Sequence, residues 1–147
     1  MSRKSTKVYP NVWKSEKMRE VSASAKLLGI YFLTSPFYCM VGIYEQPKER
    51  IRKHTGLSHK ELDQTFAKLI GVGFVRYDDA TEVVWVVDMA VSQVSDGRLS
   101  ESQEKEVLNE LARLSIECQF PFVDEFIQHY IERYPFLPRD AEELCFV

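Results

Sequence analysis

The run Thr55-Gly56-Leu57-Ser58-His59-Lys60-Glu61 constrains the fold more than any other stretch of the chain. Ser58 followed three residues later by Glu61 has the spacing of a capping box. In that arrangement the hydroxyl accepts from the N3 amide and the glutamate reaches back to the cap amide. A helix is therefore predicted to open at Ser58. Gly56, two residues earlier, suits the left-handed position that ends a preceding helix. Two helices then meet at a corner only Thr55 to Ser58 wide. Leu62, Phe66, Leu69 and Ile70 recur with the 3.6-residue period and are expected to face inward. Lys60, Gln64 and Lys68, at i, i+4 and i+8, fall along the opposite, solvent-facing side. What that polar stripe touches is the functional question.

The flanking segments complete a pattern. Val21 to Ser35 reads as a helix capped by Ser22 or Ser24 and ended by Ser35-Pro36. Leu27, Leu28, Ile30, Tyr31 and Leu33 make it apolar over much of its circumference. Met40 to Tyr44 is a short β-prone run around Gly42. Pro47 suits the first turn of the next helix, Pro47 to His54, which carries Lys48, Arg50, Arg52 and Lys53. After the capped helix, closed by Gly71 and Gly73, Phe74 to Tyr77 and Val83 to Val87 are predicted strands. Asp78-Asp79-Ala80-Thr81 joins them as a hairpin. The unbroken Val83-Val84-Trp85-Val86-Val87 run predicts a strand covered, at least in part, on both faces. This order describes a winged helix-turn-helix with a two-stranded wing, in an α+β, mostly α fold. The core is expected at Leu27, Leu28, Tyr31, Ile51, Leu62, Phe66, Leu69, Val84 and Val86.

The rest of the chain differs in charge and pattern. The net charge of −3 over 147 residues hides an asymmetry. Met1 to Ala90 holds 14 Lys+Arg against 10 Asp+Glu, a balance of +4, and Val91 to Val147 holds 5 against 12, a balance of −7. A basic working surface followed by an acidic extension is the implied organisation, with the division at residues 1–93 and 94–147. In the extension, Ser100 and Gln103 form a second capping box that opens a helix from Glu101 to Ile116. Val107, Leu108, Leu111 and Leu114 are its apolar stripe. Pro121 is expected to open another helix, in which Phe122, Val123, Phe126, Ile127 and Tyr130 form an aromatic-rich core stripe.

Several function classes lose support. No apolar run approaches the roughly 18 residues needed to cross a bilayer. No signal-peptide core follows the basic Met1 to Lys17, so a cytoplasmic location is expected. Cys39, Cys118 and Cys145 form no CxxC pair, and His54, His59 and His129 lack ligand spacing, so no metal or disulfide framework is expected. Phosphate-loop, serine-hydrolase and zinc-protease signatures are missing. The Gly71-Val72-Gly73 run precedes a strand, where a phosphate loop would need a following helix. A non-enzymatic protein without a cofactor is the reading.

In a helix-turn-helix the second helix enters the major groove and its N-terminal residues meet base edges. His59, Lys60, Asp63 and Gln64 would do so here. The predicted DNA-facing set is Lys60, Gln64, Lys68 and His59, with Arg52 and Lys53 from the preceding helix and Arg76 at the wing. Val8, Tyr9, Val12 and Trp13 form an aromatic segment, either a short strand or an arm for self-association into a homo-oligomer. Winged helices also serve as transcriptional regulators or as purely protein-binding modules, and both readings stay open.

The runs KLLGIYFLTSP, MVGIYEQP and TGLSHKELDQTFAKLIGVGFVRYDDATEVVWVVDMA resemble the N-terminal winged-helix domain of phage replisome organisers and DnaD-like primosome proteins. The shared motifs stand at Leu33-Thr34-Ser35-Pro36, Gly42-Ile43-Tyr44, Thr55-Gly56-Leu57-Ser58 and Tyr77 to Val87. The likeness covers roughly Lys7 to Gln93 and is weaker through PFVDEFIQHYIERY. It implies a role in replication initiation: binding duplex origin or single-stranded DNA, recruiting the replicative helicase or its loader, and oligomerising through the N-terminal end. It also implies a longer C-terminal region with further DNA or helicase contacts, so the chain is expected to be a fragment or to lack that activity.

Overall fold

The structure, a computed structural model, describes residues 8, 10–35, 41–89, 99–118, 122–139 and 143. Two compact units divide the chain, Met1–Gln93 and Val94–Val147. Tyr9, Pro36, Cys39, Met40, Gln93, Pro121 and Cys145, each given a role or a reading above, lie outside the described residues.

The first unit is an α+β winged helix-turn-helix. A 3₁₀ helix at Pro10–Lys14 and a single helical turn, α1 (Glu16–Arg19), lead into α2 (Ala23–Thr34). Ser22 caps α2, its hydroxyl accepting from the Ala25 amide at 3.2 Å. Strand β1 (Ile43–Glu45), helix α3 (Lys48–Thr55), helix α4 (His59–Gly71) and strands β2 (Val75–Asp78) and β3 (Val83–Val86) follow. Pro47 stands at the N-cap of α3, one residue outside the helical turn predicted for it.

The wing is larger than a two-stranded hairpin. β1 joins it, giving an antiparallel sheet of order β1-β3-β2. Ile43 and Arg76 both lie opposite Trp85, and Tyr44 and Tyr77 both lie opposite Val84. Because side chains alternate along a strand, Tyr44, Val75, Tyr77, Val84 and Val86 share the face that packs on the helices. Ile43, Arg76, Val83 and Trp85 share the other. Every residue of β3 is buried, as its continuous apolar run predicted.

The core gathers Leu28 and Phe32 of α2, Ile51 of α3, and Leu62, Phe66 and Leu69 of α4 onto that sheet face. Phe66 lies 5.4 Å from the Phe32 ring and 4.9 Å from the Tyr77 ring. Leu27, an expected core member, is exposed at 47%, and Ile70, expected to face inward, at 45%. A helix apolar on most sides gives no period from which to choose its buried face, and Ile70 sits at the edge of its stripe. Tyr31 is only partly buried, because its hydroxyl serves polar partners. Met18 is fully buried and Val12 packs against the same core, so the N-terminal segment belongs in part to the domain itself.

The second unit is helical. α5 (Glu101–Cys118) begins with the predicted capping box: the Gln103 amide donates to the Ser100 hydroxyl at 3.2 Å, and the Ser100 amide donates to Gln103 Oε1 at 3.0 Å. α6 (Val123–Tyr130) packs against it. Val107, Leu111, Leu114, Phe122, Val123, Phe126, Ile127 and Tyr130 are buried, and Leu108 partly so. Tyr134 stacks on Tyr130 at 5.6 Å and continues this core beyond the helix.

Candidate nucleic-acid interface

The corner between α3 and α4 is built by short-range hydrogen bonds. Gly56 adopts φ 78°, open to glycine without strain, and its amide donates to the Arg52 carbonyl at 2.9 Å. Thr55 donates to the Ile51 carbonyl at 2.8 Å and accepts from the Leu57 amide at 3.3 Å. Leu57, buried, plugs the corner into the core. Ser58 and Glu61 then exchange both capping-box bonds, at 3.1 and 3.4 Å, and α4 starts.

Two of the predicted DNA-facing residues are spent on this corner. Arg52 donates through Nε to the Leu57 carbonyl at 3.2 Å and through its NH1 nitrogen to the Glu49 carboxylate at 3.2 Å. The same nitrogen lies 2.8 Å from His59 Nε2, whose other ring nitrogen is 3.7 Å from Glu49. With Arg52 donating, a neutral His59 carries its proton on Nδ1. Glu49, Arg52 and His59 therefore brace the helix junction.

Lys53, Lys60, Gln64 and Lys68 are different. All four are exposed, and among the described residues their side chains enter no hydrogen bond or ion pair. Lys60, Gln64 and Lys68 run along the solvent side of α4 as the spacing predicted. Arg76 is not aligned with them. Its neighbours Val75 and Tyr77 point at the helices, and Tyr77 touches Phe66 of α4, so Arg76 lies on the opposite face of the sheet.

The wing tip is acidic. The Asp78 carboxylate accepts from the Thr81 amide at 3.0 Å and from its hydroxyl at 2.6 Å, shaping the turn. Asp79 and Glu82 are exposed beside it. Burial pushes the Tyr77 phenol well above its ordinary pKa, and the carboxylates of Glu82, Asp79, Asp78 and Glu45 push it further. Lys48 offsets part of this charge. Its ammonium lies 3.3 Å from Asp79 and 4.0 Å from Asp63 of α4, over the rings of Tyr77 at 5.5 Å and Phe66 at 5.8 Å. Each ion pair is solvent-exposed and individually weak.

A buried polar hub stands at Gln46, and sequence reasoning missed it. The Gln46 backbone amide donates to the Glu82 carbonyl at 2.7 Å and its carbonyl accepts from the Tyr77 hydroxyl at 3.0 Å. Its side-chain amide donates to the Tyr31 hydroxyl at 2.6 Å, and that hydroxyl is 2.8 Å from His54 Nδ1. Wing, α2 and α3 are thus tied through one glutamine. Glutamines are mostly exposed, so the residue type gives no sign of this role; the contacts reveal it.

Among the described residues no group of three or more His, Cys, Asp or Glu is placed to hold a metal ion, and no helix is long and apolar enough to cross a membrane. No protein-family model, curated protein or solved structure matches the chain.

Proposed function

We propose that Met1–Gln93 is the non-enzymatic DNA-binding module of a replication initiation protein, docking on duplex DNA through α4 and helping to recruit the replicative helicase or its loader. The observation that carries the DNA reading is the division of labour at the helix-turn-helix. Arg52, His59 and Lys48 are engaged in bracing, while Lys60, Gln64 and Lys68 are left pointing into solvent along α4, with Lys53 on α3 also uncommitted. Lysines there neutralise phosphates, and Gln64 has the amide geometry to pair with an adenine edge. The acidic tip repels phosphate, so the wing is held off the backbone and affinity is modest. The replication context is supported by the sequence resemblance, whose motifs fall at the end of α2, at β1, at the α3–α4 corner and along the hairpin. A transcriptional regulator on the same scaffold would instead bind a palindrome as a dimer, with half-sites about one helical turn apart.

The test is a salt series with duplex DNA. The double variant Lys60→Ala, Lys68→Ala should weaken binding and flatten the slope of log K against log salt by about 2, since each phosphate contact contributes about 0.9. An unchanged affinity and slope would remove α4 from the interface and bring the protein-binding reading forward.

A further inference from the structure

Resting on the DNA reading above, we infer that Ala67 is a specificity-determining residue of α4: its methyl group meets the C5 methyl of a thymine next to the adenine that Gln64 reads. The face then selects A·T steps in duplex DNA. Ala67 is exposed, whereas Thr65, Phe66 and Leu69 around it are buried. At about 100° per residue it lies about 60° round the helix from Gln64, and both sit near the middle of the exposed arc. Three residues separate them, about 4.5 Å along the axis against a rise of about 3.4 Å per base pair, so they reach adjacent pairs. The turns on either side leave the methyl accessible. Asp63, at i−4, lies 4.0 Å from the Lys48 ammonium and is drawn toward α3. Gly71, at i+4, carries no side chain, and a Cβ added there would meet nothing within 4 Å, so the space around it does not demand glycine.

Base chemistry then favours one pair. In the major groove adenine presents an acceptor at N7 and a donor at N6, which the Gln64 amide matches with one donor and one acceptor. Guanine presents two acceptors there and sets O6 against the amide oxygen, leaving both unpaired. Thymine alone carries a methyl group into the groove, where alanine supplies an apolar contact. Cytosine would instead place an amino donor against the Ala67 methyl, which offers it no acceptor. Phosphate contacts are blind to sequence, so Lys60 and Lys68 add affinity to every duplex alike. Affinity and selectivity on this helix therefore belong to different side chains, and they can be removed separately.

The test titrates the full chain with three duplexes of two helical turns, about 20 base pairs. One alternates A and T, one alternates G and C, and the third carries deoxyuridine for thymidine and so lacks the methyl. The parent should prefer A·T over G·C by about 5- to 150-fold, the factor for one bidentate base contact. It should prefer A·T over A·U by about fourfold, the worth of one buried methyl. Gln64→Ala should remove the first preference. Ala67→Gly should bind A·U like the parent, which shows that it is folded, and lose the advantage of thymine. Equal binding of A·T and A·U by the parent overturns the inference without any variant. So does a difference that Ala67→Gly leaves intact, which would make it a readout of groove shape, or a preference for G·C. The Lys60→Ala, Lys68→Ala chain separates this inference from the DNA reading beneath it. A loss shared by all three duplexes with the A·T to A·U ratio preserved supports both. The same loss in a chain with no base preference overturns only the inference, and no loss at all overturns the two together.

Discussion

Tyr77 shows how much one side chain carries here. Its ring contacts Phe66 and receives Lys48, and its hydroxyl donates to the Gln46 carbonyl at 3.0 Å. Burial raises its pKa above 10.0, with four carboxylates adding to the shift, and burial raises that of Tyr31 as well. The sign for stability follows. Below pH about 10 the phenol is neutral in both folded and unfolded chains, and its contribution is complete. Above that, the unfolded phenol ionises while the folded one resists, so the unfolded state is favoured and stability is lost as pH rises. Urea unfolding at neutral pH should show Tyr77→Phe less stable by about 1 kcal/mol, the worth of one hydrogen bond. Between pH 10 and 12 the same variant should lose stability less steeply than the parent, by up to one proton's worth of slope. Parallel pH profiles for the two proteins would mean that the phenol ionises as easily in the fold as out of it.

Among the elements, β1 depends on a residue whose importance the sequence does not display. Gly42 adopts φ 81°, and its carbonyl accepts from the Val86 amide at 2.8 Å, which docks β1 on β3. A Cβ added there would sit 2.8 Å from Met89 Cβ and 2.9 Å from the Val86 carbonyl oxygen. Gly42→Ala should therefore cost at least about 1–2 kcal/mol, the left-handed penalty alone, with the collision added to it. A thermal melt unchanged by that substitution would place β1 outside the cooperative unit. Local signals elsewhere were easy to read. The Ser58–Glu61 and Ser100–Gln103 boxes, the Gly56 stop and the hairpin depend on residues within a few positions of one another, so spacing alone predicts them. The missed features depend on distant partners. Leu27 and Leu28 are chemically identical, and only the helices packed around α2 decide which is buried. Arg52 read as a phosphate ligand because its use at Leu57, Glu49 and His59 requires the folded corner. Of the candidate site, the α4 stripe was legible because helical period sets it, while the placement of Arg76 needed the sheet register.

Across the whole molecule, charge is divided more sharply than composition suggests. The two units carry +4 and −7, and each has its own buried core. If Met1–Gln93 docks on DNA as proposed, the acidic unit tethered to it repels the same phosphates that Lys53, Lys60 and Lys68 would attract. That repulsion acts over a Debye length, about 10 Å at 0.1 M salt and 30 Å at 0.01 M, so it weakens quickly as salt is added. A chain ending at Gln93 should melt cooperatively on the strength of its own core. It should also bind duplex DNA more tightly than the full chain at low salt. The advantage should shrink as ionic strength rises, so the shorter chain should show the steeper slope of log K against log salt. A direct comparison of the two chains over the same salt series measures this. If removing Val94–Val147 weakens duplex binding at every salt concentration, the acidic unit contributes contacts of its own and its charge is not simply a brake.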